Sequence, residues 1–332
     1  MELPNYVQME PVGQCNLRCQ MCSIQFRQDG PPLGPPAFMD YELFKNIIDE
    51  YPNMTDLHLQ GLGEPMMHPR YFDMVEYASG KGINVSTNSN LTLLNPRRAE
   101  RCVTSGLNLL CVSLDGSTAE TYERIRVRAH FDRVIKHIEM LVEMREQRNS
   151  ELPHLKMVMV IMRQNLHELP DLVRLTHSLQ MESLFVQHLC HDFGESTLPA
   201  HYKPMREFVE EQTLLNEDLE RVEKYFGEAR QVAESLGFNL RLPRSRPREH
   251  PPGTPGRKRC SWPWTGAYYS YQGYTMPCCM VSTPDRINFG KVGDGTVTEI
   301  WSSEQFRAFR EQLDSDQPPE ICKSCAVYNG MF

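Results

Sequence analysis

The chain has 332 residues, of which 40% are hydrophobic and 23% are charged, with a formal net charge of −8 at pH 7. This balance is typical of a globular protein with room for two domains, and the negative charge argues against nucleic-acid or membrane-surface binding. The N-terminus lacks a basic segment followed by an apolar run, and no stretch approaches the ~20 apolar residues of a membrane span. We therefore expect a cytoplasmic protein whose eleven cysteines bind metals or clusters rather than form disulfides.

Short apolar runs alternate with amphipathic segments through about the first 190 residues, which predicts repeated β–α units around a parallel sheet. The predicted strands are Tyr6–Glu10, Asp56–Gln60, Ile83–Thr87, Leu110–Leu114, Leu155–Met162 and Ser183–His188. The helical segments among them are Tyr41–Glu50, Arg70–Lys81, Pro96–Ser105, Ala119–Gln147 and Glu168–Gln180. Six units without an obvious seventh and eighth indicate an α/β fold, a partial (β/α)6 barrel of the TIM type. In such barrels the chemistry gathers at the C-terminal strand ends.

The rest of the chain changes character twice. Leu198–Leu236 has helical periodicity, and the Pro- and Arg-rich stretch Pro243–Arg259 predicts an irregular connector. Cys, aromatic and Gly residues then precede a predicted helix from about Glu299 to Leu313. We expect a core barrel over 1–197, a helical bridge and linker over 198–255, and a small Cys-rich domain over 256–332.

Three cysteines, Cys15, Cys19 and Cys22, follow the first predicted strand at the expected mouth of the barrel. Three closely spaced thiolates can hold three irons of a [4Fe–4S] cubane and leave the fourth iron without a protein ligand. A zinc site is the alternative, but a nearby fourth ligand is lacking. The triplet therefore predicts a cluster with one open iron.

This CxxxCxxC triplet resembles the signature of the radical SAM superfamily, and the resemblance extends through the six-unit core. It implies that the open iron chelates S-adenosylmethionine (SAM), whose reductive cleavage releases a 5′-deoxyadenosyl radical. Family members often carry an aromatic residue just before the last cysteine, near the adenine. Met21 takes that place here, and its thioether is also apolar and polarisable.

The turn Gly61-Leu62-Gly63-Glu64-Pro65 resembles the GGEP motif of the family. The resemblance implies that the turn and Glu64 hold the ammonium group of SAM, since a carboxylate is the natural partner of that charge. An ordinary glycine turn is the alternative.

Polar residues at four further strand ends are candidates for binding SAM or substrate. The resemblance implies that the pocket for the ribose and carboxylate of SAM is lined by Thr87 or Asn88 and by Ser113 or Asp115. Arg163 and Asn165 are similar candidates. Such residues could equally cap the following helices. His188 and Cys190 would face the substrate or the adenosyl group, although a buried structural role is commoner for these residue types.

Five cysteines occupy the C-terminal segment: Cys260, Cys278, Cys279, Cys322 and Cys325. Four thiolates could hold Zn²⁺ or a second [4Fe–4S] cluster, and their spacing does not distinguish the two. The segment resembles the SPASM/twitch extension of radical SAM enzymes, which implies an iron–sulfur cluster. A full SPASM domain supplies further cysteines after this CxxC, so we expect one auxiliary [4Fe–4S] cluster here. Its expected ligands are Cys260, Cys278, Cys322 and Cys325, with Cys279 as the alternative third ligand.

The other notable side chains of the sequence are expected to pack. Cys102 and Cys111 lie in helix-like and strand-like contexts. An aromatic set in the C-terminal segment is expected to surround the auxiliary cluster rather than line a substrate cavity; it comprises Trp262, Trp264, Tyr268, Tyr269 and Tyr271.

A fully ligated second cluster suggests that the substrate electron leaves through it, so we expect net two-electron oxidation. An external donor such as flavodoxin or ferredoxin would supply the electron that cleaves SAM. The resemblance implies a sugar-, cyclitol- or aminosugar-like substrate, with peptide maturation as the alternative. The first strand begins within about six residues, which leaves no room for a leader-binding domain and disfavours the peptide.

Two other functions stay open from the sequence. One is epimerisation, in which Cys190 or Cys279 returns a hydrogen atom to the opposite face of the substrate. The other is non-enzymatic, an iron–sulfur electron carrier or a zinc-stabilised binding module. A carrier needs neither the glycine turn nor an adenosine pocket, which favours the enzyme.

Overall fold

The computed structural model describes residues 2–28, 37–189, 193–246 and 260–331. In this part of the chain one nine-stranded sheet dominates. Every neighbouring pair of its strands is parallel except the edge pair formed by its two most C-terminal strands, which is antiparallel. The strands are β1 (Tyr6–Met9), β2 (Asp56–Leu59), β3 (Asn84–Ser89), β4 (Leu107–Ser113), β5 (His154–Ile161), β6 (Ser183–His188), β7 (Asn239–Arg241), β8 (Gly266–Tyr269) and β9 (Thr275–Met276). Their spatial order is β9-β8-β1-β2-β3-β4-β5-β6-β7.

Helices follow the first six strands and cover the sheet. They are α1 (Tyr41–Asp49), α2 (Tyr71–Ser79), α3 (Pro96–Thr104), α4 (Ala119–Ile125), α5 (Phe131–Gln147), α6 (Leu169–Ser178), α7 (Lys203–Gln212) and α8 (Leu219–Leu236). The C-terminal segment adds α9 (Trp262–Thr265), α10 (Val297–Trp301), α11 (Glu304–Asp314) and α12 (Glu320–Lys323). No helix in the described ranges is long and apolar enough to cross a membrane.

Local sequence explains where the helices begin and which face they bury. Helix α1 begins after Asp40, whose carboxylate accepts the Leu43 N–H at 2.9 Å, and it buries Phe44, Ile47 and Ile48. This spacing of three and four residues gives one apolar stripe that faces the sheet. Helix α8 ends at Gly237, whose φ of 60° is a conformation that glycine adopts without steric cost.

The α/β class and the six predicted parallel strands are confirmed, and the sheet extends past them at both edges. Strand β7 pairs with β6, so the segment predicted to bridge two domains contributes a strand to the main sheet, and α8 packs against α6. Strand β8 from the C-terminal segment pairs with β1. The core barrel and the Cys-rich segment therefore share one sheet.

Three predicted helices are wrong as single elements. Ala119–Gln147 breaks after Ile125, because Arg126–Val127 form a short strand that pairs with Arg18–Cys19 of the cysteine loop. The helical stretch after residue 198 divides into α7 and α8. The predicted helix near the C-terminus is also two helices, since the Ser303 hydroxyl accepts the Phe306 N–H and starts α11 anew.

Candidate functional site

A cavity of about 500 Å³ opens inside the sheet, toward the C-terminal ends of its strands. Its lining includes the cysteine loop after β1, the glycine turn after β2, the C-terminal ends of β3 to β6, and the C-terminal segment. A cavity of this size is in the range of small-molecule and cofactor sites.

The three N-terminal cysteines meet at this cavity. Cys15, Cys19 and Cys22 all line it, and the Cys22 N–H donates to the Cys19 carbonyl at 3.1 Å. Burial raises the pKa of all three thiols, and iron binding would displace their protons.

A zinc ion and a cubane would bind these thiols in different ways. Among the described residues, no three His, Cys, Asp or Glu side chains converge as ligands of one metal ion. A mononuclear zinc site needs all its sulfurs about 2.3 Å from a single centre, whereas a cubane binds each thiolate at a separate iron.

The glycine turn packs directly on the loops that follow β1. A Cβ atom on Gly63 would lie 1.9 Å from the Val12 carbonyl oxygen and 2.5 Å from that of Gln14. A Cβ on Gly61 would lie 2.4 Å from Cγ of Glu10. Both positions line the cavity and require glycine for this close approach.

Glu64 presents a buried carboxylate at the same place. It accepts the Ser89 hydroxyl at 2.8 Å and the Asn90 N–H at 2.8 Å through different oxygens, and the Met66 N–H at 3.1 Å. Burial raises its pKa, while these hydrogen bonds lower it. A carboxylate has about four lone-pair sites, so one stays available to an ammonium group of a bound cofactor.

Three of the predicted cofactor residues also line the cavity, namely Met21, Asn88 and Ser113. Asp115 does not. Its carboxylate is fully buried, lies 2.6 Å from Nε of Arg126 and accepts the Val160 N–H at 2.8 Å. We therefore reassign Asp115 from direct contact with the cofactor to the support of Arg126.

Arg163 is also directed away from the cavity. Its guanidinium donates to the Asn216 carbonyl and lies 3.5 Å from the Glu217 carboxylate, which ties β5 to the segment between α7 and α8. The prediction of Arg163 as a cofactor residue is thus not supported by its position.

The remaining strand-end candidates have structural contacts. The Thr87 hydroxyl donates to the Leu59 carbonyl at 2.9 Å, and the Asn165 amide donates to the Asp115 and Val160 carbonyls. Nε2 of His188 contacts the Arg244 carbonyl at 2.5 Å, and burial lowers the pKa of this histidine. Cys190 lies outside the described residues.

The C-terminal cysteines lie near one another. Burial raises the pKa of Cys278, and the nearby thiols of Cys279, Cys325, Cys322 and Cys260 raise it further. This mutual effect places the predicted auxiliary ligands within electrostatic range of one another, although chain positions 260 and 325 are far apart.

Adjacent Cys278 and Cys279 differ in whether they line the cavity. Cys279 lines the cavity, whereas Cys278 has the other C-terminal cysteines as electrostatic neighbours. Cys278 has extended backbone angles, φ −172° and ψ 173°, and a 3₁₀ turn begins at Cys279. This arrangement favours Cys278 as the ligand and leaves Cys279 facing the cavity.

The aromatic residues of this segment divide between two roles. Trp262 and Tyr268 line the cavity, contrary to the expectation that the set only packs. Tyr269 and Tyr271 are buried in the core, and Trp264 packs against it. Cys102 is fully buried in the core, and Cys111 lies on β4.

Two cavity residues, Arg126 and His58, were missed by the sequence reasoning. Nη1 of Arg126 lies 4.0 Å from Sγ of Cys19, because the short strand pairing sets these residues opposite each other. His58 lines the cavity with Nδ1 2.8 Å from the Ser86 hydroxyl. Arg126 was hidden inside a predicted helix, but His58 lies on a predicted strand three residues before the glycine turn and could have been found.

Comparison with protein-family models identifies both parts of the chain. Residues 9–176 match the model of the radical SAM superfamily, and residues 260–326 match SPASM, an iron–sulfur cluster-binding domain. These matches confirm that the chain is an enzyme. They also confirm its cofactors, which are SAM, a SAM-binding [4Fe–4S] cluster and auxiliary iron–sulfur cluster binding.

Individual proteins with similar sequences or folds span several activities. The tungsten-containing aldehyde ferredoxin oxidoreductase cofactor-modifying protein of Pyrococcus furiosus is 24% identical, over 97% of this chain and 87% of its own. The mycofactocin maturase MftC of Mycobacterium tuberculosis is 29% identical over 42% of this chain and 35% of its own. The structure of Streptococcus suis SuiB bound to the precursor peptide SuiA has a TM-score of 0.68 at 15% identity, over 99% of this chain and 71% of that one.

The cysteine loop, the glycine turn and the barrel strands thus agree with the family match over half of the sequence. The chain belongs to the radical SAM superfamily and carries a C-terminal SPASM domain.

Proposed function

We propose that this chain is an oxidative radical SAM enzyme in which the substrate lies between the two cysteine sets. The observation that carries the proposal is the single cavity lined both by Cys15, Cys19 and Cys22 and by Trp262 and Cys279 of the SPASM segment. Bound SAM would supply the radical chemistry that abstracts a hydrogen atom from the substrate. The electron then left on the substrate has an acceptor within reach if the C-terminal thiols hold a cluster.

The lining of the cavity supports a hydroxyl-rich substrate that is bound mainly through hydrogen bonds. Its charged members in the described ranges are Glu64 and Arg126, and both are engaged, by hydrogen bonds and by Asp115 respectively. Neutral polar side chains supply the remaining hydrogen-bonding capacity: Gln8, Gln60, Asn88, Ser113 and Gln187. We propose a hydroxyl-rich substrate of the sugar, cyclitol or aminosugar class.

The second candidate is modification of a peptide. The mycobacterial relative is named a maturase, and the matched SuiB structure holds a precursor peptide. A third, epimerisation, is favoured by one observation, the thiol of Cys279 at the cavity. For each of these we propose a cytoplasmic setting and an external electron donor such as flavodoxin or ferredoxin.

The central test is the formation of 5′-deoxyadenosine from SAM by the reconstituted protein with dithionite. We expect the wild type and a Cys111→Ala control to form it, and the combined Cys15→Ala, Cys19→Ala and Cys22→Ala variant to form none while it retains the auxiliary iron–sulfur spectrum. A wild type that forms none, or a triple variant that still does, would contradict the proposal.

The same assay distinguishes the substrate classes. Carbon-deuterated cyclitols and aminosugars are expected to transfer deuterium into 5′-deoxyadenosine, which mass spectrometry detects. If no member of this panel transfers deuterium, the small-substrate proposal fails. Transfer from a deuterated peptide encoded beside this gene would support the second candidate.

A further inference from the structure

A buried ion pair lies between the cysteine loop, the glycine turn and the SPASM segment. Glu10 follows β1, and Arg27 follows the cysteine triplet. Nη1 of Arg27 donates to Oε1 of Glu10 at 2.7 Å, and Nη2 donates to Oε2 at 3.1 Å. Both side chains are almost fully buried. The pair is thus bidentate and shielded from solvent, which fixes its geometry.

Each carboxylate oxygen of Glu10 also accepts a hydrogen bond from a different part of the chain. Oε1 accepts the N–H of Leu62, in the glycine turn, at 3.1 Å. Oε2 accepts the N–H of Tyr271, in the SPASM segment, at 3.3 Å. One carboxylate therefore connects the turn assigned to the cofactor with the segment that follows β8.

Close packing leaves this junction little room to adjust. A Cβ atom on Gly61 would lie 2.4 Å from Cγ of Glu10, and a Cβ on Gly13 would lie 2.4 Å from the Tyr271 ring. The Arg27 guanidinium lies 5.3 Å from the centre of the same ring. Because packed interiors transmit strain, a displacement of the turn moves the carboxylate and, through it, Tyr271.

We propose that Glu10 and Arg27 couple occupancy of the cofactor turn to the position of the SPASM segment. Both are positioning residues, since neither lines the cavity in the described structure. The inference rests on the assignment of the turn to SAM. Coupling between two sites is reciprocal, so ordering of the SPASM segment tightens SAM binding, and SAM orders the SPASM segment.

The test is hydrogen exchange of the reconstituted protein with and without SAM, read in peptides that contain Leu62 and Tyr271. The informative variant is Glu10→Asp, which keeps the charge but shortens the reach by one methylene. Glu50→Asp is the matched control, because Glu50 also holds the SPASM segment, accepting the Val297 N–H at 2.7 Å. No contact in the described structure joins Glu50 to the turn.

We expect SAM to slow exchange at Leu62 in all three proteins. At Tyr271 we expect slowing of about fivefold or more in the wild type and in Glu50→Asp, and none in Glu10→Asp. Unchanged exchange at Tyr271 in the wild type, or equal slowing in Glu10→Asp, overturns the coupling. If Glu10→Asp does not incorporate iron, Arg27→Lys replaces it, because lysine keeps the charge but loses the bidentate geometry.

Two further outcomes distinguish failure of the turn assignment from failure of the proposed function. If SAM slows exchange at Leu62 in no protein although 5′-deoxyadenosine forms, the turn is not the cofactor site, and the coupling through it is refuted as well. If no 5′-deoxyadenosine forms either, the proposed function fails along with the inference.

Discussion

Gly63 shows how single residues set the geometry of this site. Its Cα packs so closely on the cysteine loop that the carbonyl oxygens of Val12 and Gln14 occupy the space of a side chain. The Glu64 N–H donates to the same Gln14 carbonyl at 3.0 Å. The glycine therefore determines the distance between the triplet loop and the Glu64 carboxylate.

Replacing Gly63 with Ala is expected to weaken SAM binding and to lower the free energy of unfolding by about 1–3 kcal/mol, the usual cost of overpacking. The check is SAM affinity together with anaerobic urea unfolding. Gly227→Ala is the control, because Gly227 lies inside α8 with nothing within 4 Å of an added Cβ; helix propensity favours this change by up to about 1 kcal/mol. A Gly63→Ala protein with wild-type stability and affinity would refute the argument.

His58 makes the site sensitive to acid. Burial lowers the pKa of His58 to about 4, below the value near 6.5 of an unfolded chain. Between these pH values the unfolded state binds more protons. The contribution of His58 to stability is therefore complete above about pH 6.5 and is lost as pH falls toward 4, by roughly 1.4 kcal/mol per pH unit.

His58→Gln is accordingly expected to lose less stability than the wild type between pH 7 and 5.5, by about 1 kcal/mol. Urea unfolding at both pH values measures this difference. His130→Gln is the control, since His130 is exposed at the start of α5. Equal losses in the wild type and in His58→Gln would show that His58 does not carry the effect.

The sequence was sufficient to identify functional residues that belong to a local motif. The cysteine triplet and Glu64 belong to this kind, since their motifs are local. Arg126 does not, because it reaches Cys19 only through a strand pairing that joins positions more than one hundred residues apart. Asp115 lies at the expected strand end, yet its partner is this same arginine.

At the scale of elements, the turn Cys279–Val281 separates two chemical roles. It follows Cys278, whose backbone is extended. One thiol joins the C-terminal cysteines, and the other faces the cavity with Trp262 and Tyr268. If Cys278 is a cluster ligand, as we propose, the ligand and the cavity-lining Cys279 are one residue apart.

This arrangement predicts unequal iron content in two serine variants. Cys279→Ser is expected to retain about eight irons per chain, and Cys278→Ser to retain about four, because each cubane holds four. Iron analysis of the anaerobically reconstituted proteins measures both. The opposite order would exchange the ligand and cavity assignments.

Some element boundaries are set by long-range contacts, which the periodicity of the sequence does not reveal. The apolar spacing of Ala119–Gln147 suits one long helix, and only the pairing of Arg126–Val127 with the cysteine loop interrupts it. By contrast, strands β1 to β6 were accessible from sequence because each contains buried apolar residues.

At the scale of the whole molecule, the sheet unites the barrel with the SPASM segment. Six strands gave recognisable patterns, but β7 has three largely exposed residues, and β8 reads Gly-Ala-Tyr-Tyr, which suggests aromatic packing as readily as a strand. They form strands because β7 pairs with β6 and β8 pairs with β1. The domain limits 197 and 255 stay predictions.

The pairing of β1 with β8 has a consequence for synthesis on the ribosome. Val7 pairs with Ala267, so one edge of the first strand waits for about 260 further residues, or roughly 13–50 s at typical elongation rates. During that interval an unpaired strand edge can attract other chains. The same open edge gives iron donors access to the cysteine loop before the C-terminal wall is in place, so the order of synthesis favours loading the N-terminal site first.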